Sequence, residues 1–492
     1  MVFSSVIFVS VFLPIVLLAH YLLYLYSKSN RSHSIANIFI FGASILFYTW
    51  GEYLHVLILL FSTLCNFFFA RFIDSSKSIG KRKFFLTAGV IVNILLLMYY
   101  KYCGFFLEIL KIANIDIWFP KVWNINALKN VALPIGISFY TFQGLSYIID
   151  VYRKDVSASS SLTDFGCYFT MFSQLIAGPI VRYKNIKTEL TKRIITIEGL
   201  ANGATRFIYG LAKKILLADT LGRVADAAFK VPAGELPASA AWLGIVCYSF
   251  QIYYDFSGYS DMAIGIGRMI GFTFPENFNY PYISRSIQEF WRRWHITLSE
   301  WFRDYLYIPL GGNRKRKYCT AFNLVIVFAL CGIWHGAAIG FFVWGLYHGF
   351  FLSIERIFPN FTIRLPRLLQ HTYTLVVVMM GWVFFRTEHL SAAAAYFKAL
   401  VGITPIQSFA VNEVWFQLNG YALPLSITVA LILSAPIYSY VHKKSYKFIF
   451  NTSLASASFL IIAQKIWILA LFFLCLMPMF GTTYSAFIYF RF

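Results

Sequence analysis

Long apolar runs broken by short basic loops set the pattern of this chain. Residues 3–26 are apolar, and further apolar runs predict spans near 35–49, 53–73, 84–100, 134–150, 238–256, 372–386, 422–441 and 464–482. About 20 apolar residues in a helix suffice to cross the hydrocarbon core. SKSNRSH (27–33), SSKSIGKRK (75–83), loop 182–193 and loop 442–447 are basic. The excess of Lys and Arg places them on the cytoplasmic side, with the N-terminus outside. Two crossings separate the first two basic loops, so the parity is consistent. No Lys or Arg precedes residue 3, and a cleaved signal peptide wants a basic leader, so a retained first span is expected.

Between these runs the pattern is less regular. Residues 101–130, with Trp118 and Trp123, read as an interfacial loop. The apolar stretch 162–180 ends in QLIAGP, where Gly178 and Pro179 break a helix. Residues 196–220 read as an amphipathic or partly buried helix carrying Lys213 and Lys214. With no internal repeat and no long linker, one membrane domain over 1–492 is expected, with the chemistry concentrated at 130–390.

Composition agrees. The chain is 59% hydrophobic and 13% charged, with a mean hydropathy of +0.65. Soluble domains carry about 25% charged residues. The class is therefore an all-α polytopic membrane protein. The net charge of +21 is accounted for by the basic loops, and with no basic soluble patch nucleic acid is not an expected partner. None of the seven cysteines forms a Cys-x-x-Cys pair, so neither a disulfide framework nor a metal site is expected.

Against this background Tyr248–His348 gathers carboxylates, arginines, tryptophans and histidines. Polar groups at membrane depth are costly and tend to be functional. At 100° per residue, Glu289, Arg292, Arg293, Glu300, Arg303 and Asp304 fall within roughly 60° of one line. Trp291, Trp294, His295, Leu298, Trp301, Phe302 and Tyr305 fall opposite. The spacing predicts one amphipathic helix over 289–305, too polar to span lipid. His335 closes the apolar run 322–334 and precedes Gly336-Ala337-Ala338, small residues that favour close packing. An imidazole there suits either general-base work or a structural role. His348, on the next helix, reads as structural. Asp255 at the end of the 238–256 span, and Asp261 after Gly258, suit capping or turn roles. Metalloprotease, nucleophile-elbow, dinucleotide and P-loop patterns are absent.

Three runs carry a resemblance: QIYYDFSGYSDMAIGIGRMIGF (251–272), PENFNYPYISRSIQEFWRRWHITLSEWFRDYLYIPLGGNR (275–314) and GIWHGA (332–337). With LPIGISFYTFQ (133–143), QLIAGPIVR (174–182) and GWVFFR (381–386), they resemble the membrane-bound O-acyltransferase superfamily (MBOAT). Within it they are most similar to the bacterial alginate O-acetyltransferase branch. The resemblance implies a ring of about ten to twelve tilted spans, with amphipathic and re-entrant helices around a central tunnel. It implies that His335 is catalytic and that His295 is the second family histidine. Asp255, Trp294, Trp334, Arg292, Ser299 and Tyr253 are then candidates to line the tunnel.

The implied function is transfer of an acetyl group from cytoplasmic acetyl-CoA, a substrate rather than a bound cofactor, toward an exported polysaccharide. The setting is a bacterial inner or cytoplasmic membrane. Arg314, Lys315, Arg316 and Lys317 are candidates for the donor's phosphates, with solvated loop charge as their ordinary role. No Gly-Asp-Ser block of a fused esterase-like domain occurs, so a separate extracytoplasmic protein is expected to complete transfer. Three other readings remain: D-alanyl transfer to teichoic acid from a carrier-protein thioester, a non-catalytic transporter or export channel, and a lipid acyltransferase with the same histidines.

Overall fold

The computed structural model describes residues 2–29, 34–106, 132–232, 235–314, 316–387, 389–403, 422–437 and 454–481. No strand occurs among them. The chain is all-α and polytopic, and it divides into two compact units, Met1–Ala204 with Ala263–Pro275, and Thr205–Met262 with Glu276–Phe492. The expected loop 101–130 begins as helix instead, since the helical stretch Ile79–Phe106 runs into it. Its remainder with Trp118 and Trp123, the basic loop 442–447 and Lys315 lie outside the described residues.

The first unit contains α1 (Leu13–Ser29), α2 (Ser34–Glu52), α3 (Val56–Ser75), α4 (Ile79–Leu97), α5 (Ile137–Arg153), α6 (Leu162–Thr170) and α7 (Tyr183–Thr191). The stretch Ser34–Ser75 is apolar over 42 residues. At 1.5 Å per residue it is about twice as long as a bilayer core needs. It bends at Tyr53, whose φ is 45°, and so separates into the two spans read from the sequence. Asn66 of α3 and Asn93 of α4 exchange amide hydrogen bonds of 2.9 and 3.2 Å, satisfying both side chains inside apolar surroundings. Helix α5 is buried from Ile137 to Ile148 on every face, as an interior helix with no polar side must be. The stretch 162–180, expected to break at Gly178–Pro179, breaks earlier: α6 ends at Thr170 and a single helical turn, Phe172–Leu175, precedes those two residues.

Helix α8 (Ile197–Ala212) runs on through a wide π turn (Lys213–Ala218) into α9 (Asp219–Lys230). It is followed by α10 (Ala238–Met269), α11 (Ile287–Arg293), α12 (Ile296–Phe302), α13 (Lys317–His335) and α14 (Ile339–Ile357). The rest are α15 (Arg367–Arg386), α16 (Leu390–Leu400), α17 (Ala422–Leu433) and α18 (Leu454–Gly481). Six stretches among the described residues are long and apolar enough to cross a membrane: Phe8–Tyr26, Ser34–Ser75, Ile79–Phe106, Lys317–His335, Arg367–Arg386 and Ser458–Gly481.

Two expectations are corrected. The span read as 238–256 is a 32-residue helix, so Asp255 and Asp261 lie inside α10 rather than at its end and cap nothing. The helix continues because basic partners meet its carboxylates. Lys214 Nζ is 2.8 Å from Asp255, and Arg206 and Lys213 reach Asp261 at 2.8 and 2.6 Å. The second correction concerns 289–305, which is not one helix. It is broken at Trp294–His295 into α11 and α12. Its sidedness survives the break. All seven residues of the predicted aromatic face are buried, and the six charged positions are exposed or half-buried.

Helices α13 and α14 pack backbone to backbone. A Cβ on Gly332 would stand 2.2 Å from the Phe341 carbonyl oxygen, and one on Gly345 would stand 2.2 Å from that of Phe328. Only glycine permits this approach, which seats the C-terminal end of α13, and so His335, in packed protein.

Candidate active site

The site builds up from Asn277. Its segment runs beside the break between α11 and α12, where the Asn279 N–H donates to the Arg293 carbonyl and the Ile296 N–H to the Asn277 carbonyl, both at 2.9 Å. These bonds replace the helical ones the break gives up, and they hold His295 at a φ of 41°. That left-handed conformation is uncommon for a residue with a side chain. The Asn277 side chain completes the anchor. Its Oδ1 accepts from the Thr297 N–H at 3.3 Å and from Thr297 Oγ1 at 2.9 Å, and its Nδ2 donates to Ser260 Oγ at 3.0 Å.

A backbone N–H can only donate, so this set identifies Oδ1 as an acceptor. His295 Nδ1, 3.0 Å from the same oxygen, must therefore carry the hydrogen. Nε2 is left as a lone pair, with no hydrogen-bond partner among the described residues. Burial alone pulls the imidazole down from its ordinary range to about 3, so His295 stays neutral at physiological pH.

The aromatic face of the broken helix joins the histidines. The His295 ring meets Phe256 edge-on at 4.6 Å and lies 6.5 Å from Trp334. Trp334 lies 4.8 Å from His335. One indole thus separates the two imidazoles predicted from the sequence. His335 is buried against Trp344 at 5.1 Å and Phe385 at 5.2 Å, the latter on α15. Trp344 in turn meets His348 at 5.2 Å. His348 is buried between Trp291 and Tyr347.

The other expected residues divide. Trp294 is buried among Phe278, Phe290 and Trp382, with Tyr253 6.1 Å away, so these two belong to the aromatic cluster beside His295. Ser299 is half-buried one turn past the break, and its Oγ is 3.5 Å from the Trp294 carbonyl. Arg292 is exposed on the opposite face of α11. Asp255 is committed to an ion cluster: Lys214 lies between it and Asp219, at 2.8 and 2.7 Å, and all three are buried. Arg314, Arg316 and Lys317 are exposed.

Sequence reasoning missed Asn277, Lys214 and Glu355. Asn277 stands 18 positions from His295 with no periodic relation to it. Lys214 was read only as a charge on an amphipathic helix. Glu355 of α14 accepts from the backbone N–H groups of Ile287 and Gln288 at 2.7 and 2.9 Å, fixing the start of α11. The signal available for it was a carboxylate at the end of an otherwise apolar helix.

A polytopic all-α fold with two buried histidines beside one tryptophan defines the class as a membrane protein with imidazoles packed in its interior. Comparison with known proteins makes this particular. The family model for the membrane-bound O-acyltransferase family (MBOAT) matches residues 151–387. The probable alginate O-acetylase AlgI of Pseudomonas aeruginosa is 40% identical over 438 residues, covering 88% of this chain and 81% of that protein. The peptidoglycan O-acetyltransferase of Helicobacter pylori is 32% identical over 437 residues, 82% of this chain and 81% of that protein. The teichoic acid D-alanyltransferase of Bacillus subtilis is 27% identical over 262 residues, 50% and 65% respectively. The chain belongs to the MBOAT family and is an O-acyltransferase. This excludes the reading as a non-catalytic transporter.

Proposed function

We propose that this protein moves an acetyl group from acetyl-CoA toward an alginate-type or other cell-wall polysaccharide, with His335 and His295 as its catalytic residues. The supporting observation is the pair of buried imidazoles flanking Trp334, one of them held neutral with Nε2 as a lone pair. In this reading His335 takes the proton of the acceptor hydroxyl, and the hydroxyl oxygen attacks the acetyl carbonyl carbon. The carbon–sulfur bond breaks, and the departing thiolate recovers the proton from His335. His295 Nε2 accepts a hydrogen bond from a second, neighbouring hydroxyl of the acceptor and so orients the attacking one. Trp294, Trp334 and Tyr253 form the apolar wall, with Ser299 at its edge. Asp255 and Arg292 do not touch substrate, the first committed to Lys214 and the second exposed.

Acetyl-CoA is cytoplasmic, whereas the polymers named for the relatives lie outside the cytoplasm. The reading therefore includes an inner-membrane location and an extracytoplasmic partner that completes delivery. The test is the acetyl content of exported glycan in a deletion strain carrying wild type, His335→Ala or His295→Ala at equal membrane abundance. Loss of acetyl ester in His335→Ala is expected, and full retention overturns the assignment. The match to a D-alanyltransferase supports a second reading, with a carrier-protein thioester as donor. Turnover of acetyl-CoA by the purified chain and partner, without a carrier protein, decides against it.

A further inference from the structure

Arg193 lies between α7 and α8 and is 2% exposed. Its guanidinium stacks 4.8 Å from the centre of the Phe272 ring. Among the described residues Nε, Nη1 and Nη2 meet no hydrogen-bonding oxygen or nitrogen, and the Cys167 thiol is only a weak partner for the guanidinium. Asp164 and the Cys167 thiol act on the charge, but the Asp164 carboxylate is engaged by Asn37 Nδ2 at 2.6 Å. Beside it His20 of α1, 1% exposed, also feels the Arg193 charge. His20 Nε2 lies 3.3 Å from the Ile270 carbonyl, which can only accept. Nε2 therefore carries the hydrogen, and Nδ1 is a lone pair without a partner among the described residues.

The magnitudes indicate a missing ligand. Stacking on an aromatic face recovers about 0.5–2 kcal/mol for a cation. Desolvating the ion costs several kcal/mol. A guanidinium is a planar fork of donors suited to a phosphate. A neighbouring lone pair suits a hydroxyl. Lys192 and Ile194 on either side are exposed, so the segment that carries Arg193 runs along the surface, and the preceding loop is basic. Basic pockets between spans on the cytoplasmic side are where anionic headgroups bind.

We infer that Arg193 and His20 form a binding site for a phosphoryl anion with an adjacent hydroxyl. The site is independent of the acetyl-transfer reading. Two sources offer that chemistry, an anionic lipid headgroup and a soluble phosphate, and the experiment separates them. The purified full chain is placed in nanodiscs of phosphatidylglycerol, phosphatidylmethanol or phosphatidylcholine, and retained lipid is read by native mass spectrometry. In parallel, the detergent-solubilised chain is titrated with inorganic phosphate and its thermal midpoint followed.

For a lipid ligand, wild type retains phosphatidylglycerol roughly tenfold over phosphatidylcholine, a difference of one charge-assisted contact. Arg193→Gln brings that ratio to near one. His20→Phe removes the preference over phosphatidylmethanol, which lacks the headgroup hydroxyl. For a soluble ligand, phosphate raises the midpoint of wild type and not of Arg193→Gln, with no lipid preference. If wild type discriminates in neither arm, or Arg193→Gln behaves as wild type, the site holds water alone and the inference falls. Both wild-type measurements stand whether or not the variants fold.

Discussion

Asn277 Oδ1 accepts the Nδ1 hydrogen of His295 at 3.0 Å, and this bond decides which nitrogen of the histidine keeps its lone pair. A neutral imidazole has one donor and one acceptor, and the partner of the first chooses the second. Asn277→Ala frees the ring to take the other tautomer and removes the anchor of Thr297. The expected result is a loss of acetyl transfer of about 10²-fold, the usual worth of positioned acid–base chemistry. Asn277→Asp keeps the acceptor but adds a charge that favours the imidazolium, so it restores part of the rate with a shifted pH profile. Equal rates and pH profiles in all three proteins would show that Asn277 only holds the turn.

The neutrality of His295 also predicts an acid limb in stability. Its folded pKa, about 3, lies below the ordinary value of 6.5. Between those values the unfolded chain binds the proton and the folded chain does not. Stability is therefore fully present above 6.5 and falls as pH falls. Between pH 6.5 and 5 the loss from this group is roughly 2 kcal/mol. Thermal unfolding of His295→Asn over that range should be less pH-dependent than wild type, and an unchanged slope removes His295 from the account.

The Asp255–Lys214–Asp219 cluster predicts an asymmetric mutational result. Lys214→Met leaves two buried carboxylates without their cation, and removal of one member of a buried pair costs about 3–5 kcal/mol. The triple change Lys214→Met, Asp255→Asn, Asp219→Asn removes all the charges together. It should recover most of the abundance lost in the single variant, measured as folded protein in detergent. A triple variant less stable than Lys214→Met would mean the charges act separately.

Gly345→Ala tests the seat of His335. The added methyl meets the Phe328 carbonyl oxygen at 2.2 Å, so α13 and α14 must separate. Overpacking of this kind costs about 1–3 kcal/mol. Acetyl transfer per folded molecule should fall as well, because His335 ends the displaced helix. Wild-type thermal stability and specific activity in this variant would show that the helices part without disturbing the site.

Much of this was legible in the chain, for definite reasons. Burial is written as periodicity, so the split between Trp291, Trp294 and Trp301 on one face and Glu289, Arg292 and Glu300 on the other survives even where the helix is broken. Hydropathy and length establish the polytopic class, and the runs around His295 and His335 point to the family. The break itself was not legible. The wheel assumes continuous helical hydrogen bonds, whereas the backbone at Trp294–His295 is satisfied by Asn277 and Asn279, which no local pattern connects to it.

The sequence by itself determined which side chains would be buried and that His335 would end an apolar helix, since both follow from short-range spacing. Only the tertiary structure decided that Trp334 lies between two histidines, that Asn277 sets the tautomer of one, and that Asp255 is neutralised by Lys214 inside its helix. Apart from the adjacent Trp334 and His335, those relations join positions 18 to 41 residues apart. At such separations it is packing and the need to satisfy buried polar groups, rather than backbone periodicity, that determine which atoms meet.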